Sequence, residues 1–177
     1  MYDKNQNPIY PTGTFGNTGP NSTNFYNAPK SHYIILHMHQ NTYTPIGTST
    51  PKTSPVAPSD IDVFNFTKLL DYTDNKNATS ILVNRIGTYA IRVNDVNKVI
   101  NTFNTLENNI EAAKSFIKEY DRLVMTPHEA VPLDDSAVMN GFITFVNTHL
   151  VNGQSMGLSF YQAVYDNQDN ITNWVKL

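Results

Sequence analysis

Three short runs carry residue types that could do chemistry. The first is Gly153-Gln154-Ser155-Met156-Gly157, a formal G-x-S-x-G. On a sharp strand-to-helix turn that spacing raises a serine nucleophile above a sheet. The nucleophile then needs an acid and a histidine later in the chain, and no histidine follows Ser155. An ordinary loop between helices accounts for the run better.

The second run is His37-Met38-His39, two imidazoles on one face of a strand, with His32 on the other. Two histidines at that spacing can ligate a metal, but a catalytic site needs a third protein ligand and an open position. His128, Glu129 and His149 are candidates, and nothing in the sequence brings them near. The simpler reading is a half-exposed strand whose histidines bond to neighbours, so no metal or cofactor is expected. The third run, Asp134-Asp135, places acids at a helix start, where they serve the cap and the dipole. No phosphate-binding glycine loop, Ca²⁺ loop or H-E-x-x-H is present. No catalytic residue is assigned.

Prolines divide the elements that must position these residues. Eight of the ten lie before Ser59. Residues 1–58 read as an extended Pro/Gly arm, with one strand near 32–39. Tyr2, Tyr10, Phe15, Phe25 and Tyr26 stud this arm, whereas a plain flexible spacer favours Gly and Ser. Such aromatics are anchors for pockets on a partner, or they pack back on their own domain. Residues 59–177 read as a mainly helical domain. Ser59 caps a helix with Asp60 and Asp62 in its first turn, running to about Leu70. Thr79–Asn84 and Tyr89–Val93 form a hairpin around Arg85-Ile86-Gly87, a helix at 78–86 being the alternative.

Next comes a stretch without Gly or Pro from Asn94 to about Val124. Val96, Phe103, Ile110, Ile117 and Val124 fall at heptad position a, and Val99, Leu106, Ala113 and Tyr120 at d. One long central helix is expected, packed within the chain or self-associating, and ended by Thr126-Pro127. After Pro132 a helix starts at Asp134-Asp135-Ser136 and stops at Asn152-Gly153. Another is expected from about Leu158 to Asp166, then a short one through Trp174. The fold class is therefore α+β, mainly helical, with a small β element and an extended N-terminal arm.

Composition limits the partners. The 177 residues carry 12 Lys and Arg, dispersed, and a net charge of −3, which disfavours nucleic acid. There is no cysteine, hence no disulfide framework and no thiolate site. The N-terminus lacks the apolar stretch of a secretory signal. The uncharged run from Ser136 to Tyr165 is broken by Asn140, Asn147, His149, Asn152 and Gln154, so no membrane span is expected. Asparagine is roughly one residue in eight, as an AT-rich coding sequence would give, and the glycosylation sequons at Asn21, Asn65, Asn77 and Asn170 follow from that by accident. Together these features lead us to expect an assembly protein, such as a capsid, collar or tail subunit of a tailed bacteriophage. Its partners would be other structural subunits and itself, and its place the virion. The alternatives are a monomeric ligand- or peptide-binding module of the bacterial cytoplasm, and a metal-dependent enzyme using His37 and His39.

Overall fold

A computed structural model describes residues 34–39, 41–44, 47–72 and 78–177. Tyr2, Tyr10, Phe15, Phe25 and Tyr26 lie outside these residues. The chain builds a five-stranded sheet of order β1-β4-β5-β8-β9 from β1 (Ile34–Met38), β4 (Thr79–Asn84), β5 (Gly87–Val93), β8 (Leu158–Tyr165) and β9 (Ile171–Lys176). The last four are antiparallel to one another, and β1 joins β4 in parallel. Two small ladders complete the strands: β2 (Thr42–Tyr43) with β3 (Lys52–Thr53), and β6 (Leu150–Val151) with β7 (Gln154–Ser155). The helices are α1 (Asp60–Tyr72), α2 (Val96–Asn108), α3 (Ile110–Tyr120), a three-residue α4 (Thr126–His128) and α5 (Asp135–Thr148).

The mainly helical expectation is corrected here, because the sheet organises the fold. Register places Leu82, Tyr89, Ile91 and Phe160 on one sheet face. Tyr89 stacks on Phe160 at 5.5 Å, and Phe160 meets Phe142 of α5 edge-on at 5.0 Å. Phe142, Phe145, Val146, Met156, Leu158 and Phe160 are all buried, so the uncharged run from Ser136 to Tyr165 supplies much of the chain's own core. Strand β1 pairs along β4, and the buried Val56 and Ala57 join the same core.

The long central helix is corrected too. Asn109 adopts an extended conformation (φ −127, ψ 102) and its side chain accepts from the N–H groups of Glu111 and Ala112. It ends α2 and caps α3 at once, which suits a residue whose short amide competes with the helical backbone. The apolar stripe changes phase across the break. Val99, Phe103 and Leu106 are buried in α2, and Phe116 and Tyr120 in α3, while Ile110 is 69% exposed and Ile117 46%. Val96 and Ala113 are half-buried, and Val124 is buried.

Thr126-Pro127 does not stop the chain abruptly. A π-helical turn, Asp121–Met125, carries it into α4. The helices expected at 158–166 and before Trp174 are strands β8 and β9. Leu158 and Phe160 alternate inward, and the Asp166 side chain holds the turn by accepting from the Gln168 and Asn170 N–H groups at 2.8 and 2.9 Å. A short apolar run rich in Phe, Tyr and Val fits either period, and here the open edge of β5 decides for a strand. The hairpin 79–93, the start of α1 at the Ser59 cap and the helix start at Asp134 are as expected, but α5 ends at Thr148, short of Asn152-Gly153, because Leu150–Val151 pair as strand β6.

Candidate functional site

The G-x-S-x-G run is structural. Asn152 and Gly153 both have positive φ (51 and 72), the two-residue turn that a tight hairpin demands, and Ser155 pairs with Leu150 across it. Gly157, at φ 74, accepts from the Asn94 and Asp95 N–H groups at 2.7 and 3.0 Å and seats the chain against the start of α2. Ser155 therefore sits in a β-hairpin, neither on a strand-to-helix turn nor between helices. The acids are structural as well. Asp134 caps α5, and Asp135 takes the Arg85 guanidinium, Nε to Oδ2 at 2.7 Å.

The histidine strand meets a carboxylate. Strand β1 lies in register with β4, His37 opposite Leu82, and the His39 N–H extends the pairing by donating to the Val83 carbonyl at 3.0 Å. The two-residue period puts positions 37 and 39 on one strand face. The chain then runs through the Pro-rich segment 51–58 into α1. Ser59 closes a capping box there: its Oγ accepts from the Asp62 N–H at 3.0 Å, while its own N–H and Oγ–H donate to Asp62 Oδ2 at 2.9 and 2.8 Å. His39 Nε2 stands 3.5 Å from that same Oδ2.

The connecting segment has almost no secondary structure, and long-range donors fix it instead. Arg85 donates to the Ser54 carbonyl at 2.7 Å, and Asn84 to the Val56 carbonyl. The Tyr120 hydroxyl donates to the Pro58 carbonyl at 2.9 Å, and its burial pushes the phenol's pKa up. The fourth donor is His39 itself, Nδ1 to the Pro55 carbonyl at 3.0 Å. That bond has an electronic consequence. With the proton on Nδ1, the neutral ring presents its Nε2 lone pair to a carboxylate oxygen. Two acceptors face each other, and the gap between them suits a proton or a metal ion. Two donors, each about 2.1 Å from a tetrahedral ion, are about 3.4 Å apart, close to the spacing found here. For the proton, burial opposes the charged ring. The Asp62 carboxylate and the Pro55 carbonyl outweigh burial, and the His39 pKa is held above the ordinary imidazole range.

No protein-family model, curated protein or solved structure matches the chain. The site must be read from its own chemistry.

The third ligand candidates named from sequence lie elsewhere. His128 and Glu129 line a cavity of about 510 Å³ with Tyr43, Lys52 and Pro55. His149 stacks on Phe145 at 5.2 Å, and burial holds its pKa down. Among the described residues no three His, Cys, Asp or Glu side chains converge; the described side chains of the candidate site are His39 and Asp62. Asp62 escaped the sequence reading because its position explains it fully as a helix-cap acid. The available signal was its place in the helix that follows the His-x-His strand.

Proposed function

We propose that the protein binds a divalent metal ion between His39 and Asp62. The observation that carries this reading is the opposition of His39 Nε2 and Asp62 Oδ2 while Nδ1 is committed to a backbone carbonyl. Ligating histidines typically use their second nitrogen in that way, and ligating carboxylates are themselves hydrogen-bonded, as Asp62 is by Ser59. An imidazole nitrogen and a carboxylate oxygen are both donors that zinc accepts, and an ion held by them would acidify a water bound at an open position. The chain's own part is to hold the ligands. Pro55 fixes the tautomer of His39, Ser59 holds Asp62 Oδ2 with two donors, and Arg85, Asn84 and Tyr120 immobilise the segment between them.

The assembly reading draws now on fewer features. The heptad helix is broken at Asn109, and the large apolar side chains of the uncharged stretch are mostly buried in the chain's own core. The aromatic arm still supports it, from outside the described residues.

Metal content of the full chain tests the proposal. We expect one equivalent of Zn²⁺ by elemental analysis after dialysis, and a tetrahedral Co²⁺ absorption spectrum after exchange. Asp62→Asn retains an acceptor for the cap, so it should fold normally and lose the metal, as should His39→Ala. Parent protein that stays metal-free in excess Zn²⁺ would reduce the His39–Asp62 contact to an ion pair and sink the metal-site reading.

A further inference from the structure

The cavity lined by His128 and Glu129 has a chemistry of its own. One wall is the β2–β3 ladder, in which Tyr43 pairs with Lys52. The other is the chain from the end of the π turn through α4 to Leu133. At about 510 Å³ the space falls within the roughly 300–1,000 Å³ of small-molecule sites. Its lining follows their pattern too, an apolar wall carrying few polar groups. Pro55, Met125, Val131 and Leu133 supply the apolar surface, and Val131 and Leu133 are exposed, so a ligand has apolar area to cover.

Two opposite charges accompany that surface. Among the described lining side chains, Lys52 is the one ammonium and Glu129 the one carboxylate. A neutral ligand would desolvate both without pairing either, a simple acid would meet Glu129, and a simple amine would meet Lys52. A zwitterion satisfies the two together. A third polar group also lacks a partner: His128 Nδ1 is buried and makes no hydrogen bond within the described residues. Burial and the Arg85 cation hold the His128 pKa down, so the ring is neutral near pH 7. Its one N–H goes to the Thr53 backbone, which leaves Nδ1 as an acceptor. We propose that this cavity binds a free α-amino acid with a large apolar side chain. The ligand's carboxylate pairs with Lys52, and its ammonium with Glu129 and His128 Nδ1. Its side chain lies against Pro55, Met125, Val131 and Leu133. This inference does not depend on the metal site.

Isothermal titration of the full chain with L-phenylalanine and L-leucine tests it, with hydrocinnamate and phenethylamine as controls that each lack one charge. The expected result is one saturable site for the amino acids, with both controls weaker by roughly tenfold or more, as the loss of a charged hydrogen bond implies. Lys52 and Glu129 are exposed, so Lys52→Met and Glu129→Gln should keep the parent's melting temperature. Each should weaken L-phenylalanine by a similar factor. Asp62→Asn, which removes a candidate metal ligand, should bind it as the parent does. No binding of either amino acid at millimolar concentration overturns the proposal. So does a control that binds as tightly as L-phenylalanine, or an affinity unchanged in either charge variant. Binding lost in Asp62→Asn would assign the amino acid to the ion and overturns it as well.

Discussion

Gly141 shows how closely single residues are specified here. A Cβ built on it would lie 1.8 Å from the Leu123 carbonyl oxygen, a backbone atom with nowhere to go. In a regular α-helix that carbonyl would accept from residue 127, which is a proline without an N–H. The chain widens into a π turn at this point, and α5 meets the carbonyl with its one residue lacking a side chain. Gly141→Ala should therefore cost about 3 kcal/mol or more, a large overpacking penalty. Urea unfolding measures it, and a midpoint equal to the parent's would show that the π turn yields easily. Gly157 is similar in kind, since its positive φ and its contact with the Asp95 carbonyl both exclude a Cβ.

Among the elements, the break between α2 and α3 makes the sharpest distinction. A continuous seam would bury Ile110 as deeply as Phe103. In the structure Phe103 is 3% exposed, and Ile110 opens α3 in the first turn, where an acid complements the helix dipole. Ile110→Asp is expected to change stability by less than about 1 kcal/mol, as an exposed substitution does. Phe103→Ala should cost about 3–5 kcal/mol for the cavity it leaves. Thermal melts of the two variants side by side check this. A strongly destabilised Ile110→Asp would restore the unbroken helix and remove the cap assigned to Asn109.

Across the whole molecule, Arg85 couples the candidate site to the rest of the fold. From the β4–β5 turn it reaches Asp135 at the start of α5 and the Ser54 carbonyl in the Pro-rich segment, and both partners of the ion pair are mostly shielded from solvent. Arg85→Met would leave Asp135 without its partner and Ser54 without its donor. We expect a loss of about 2 kcal/mol, typical of a hydrogen bond to a charged group. Because the next carbonyl, Pro55, sets the tautomer of His39, the same variant should bind Zn²⁺ roughly tenfold more weakly, as outer-shell losses do. Chemical denaturation and a competitive Zn²⁺ titration read the two effects separately. Lost stability with unchanged affinity would mean the Pro-rich segment is held without Arg85.

Features written in contiguous residues were legible from sequence alone. Ser59 and Asp62, three apart, encode the start of α1 whatever surrounds them. Asp134 encodes the start of α5, and the apolar alternation on both sides of Arg85-Ile86-Gly87 encodes the β4–β5 hairpin. Propensity could not decide where a residue had two self-consistent uses. Asn109 reads as a tolerable helix interior until its side chain is seen capping α3, and residues 158–176 suit a helix until β5 offers an edge. His39 was legible as part of the His-x-His run, but its meeting with Asp62 belongs to the tertiary structure. His39 and Asp62 meet only because Asn84, Arg85 and Tyr120, distant in sequence, hold the carbonyls of the segment between them. A proline-rich stretch has few backbone donors of its own, so its path is set by whichever side chains the folded body presents to it.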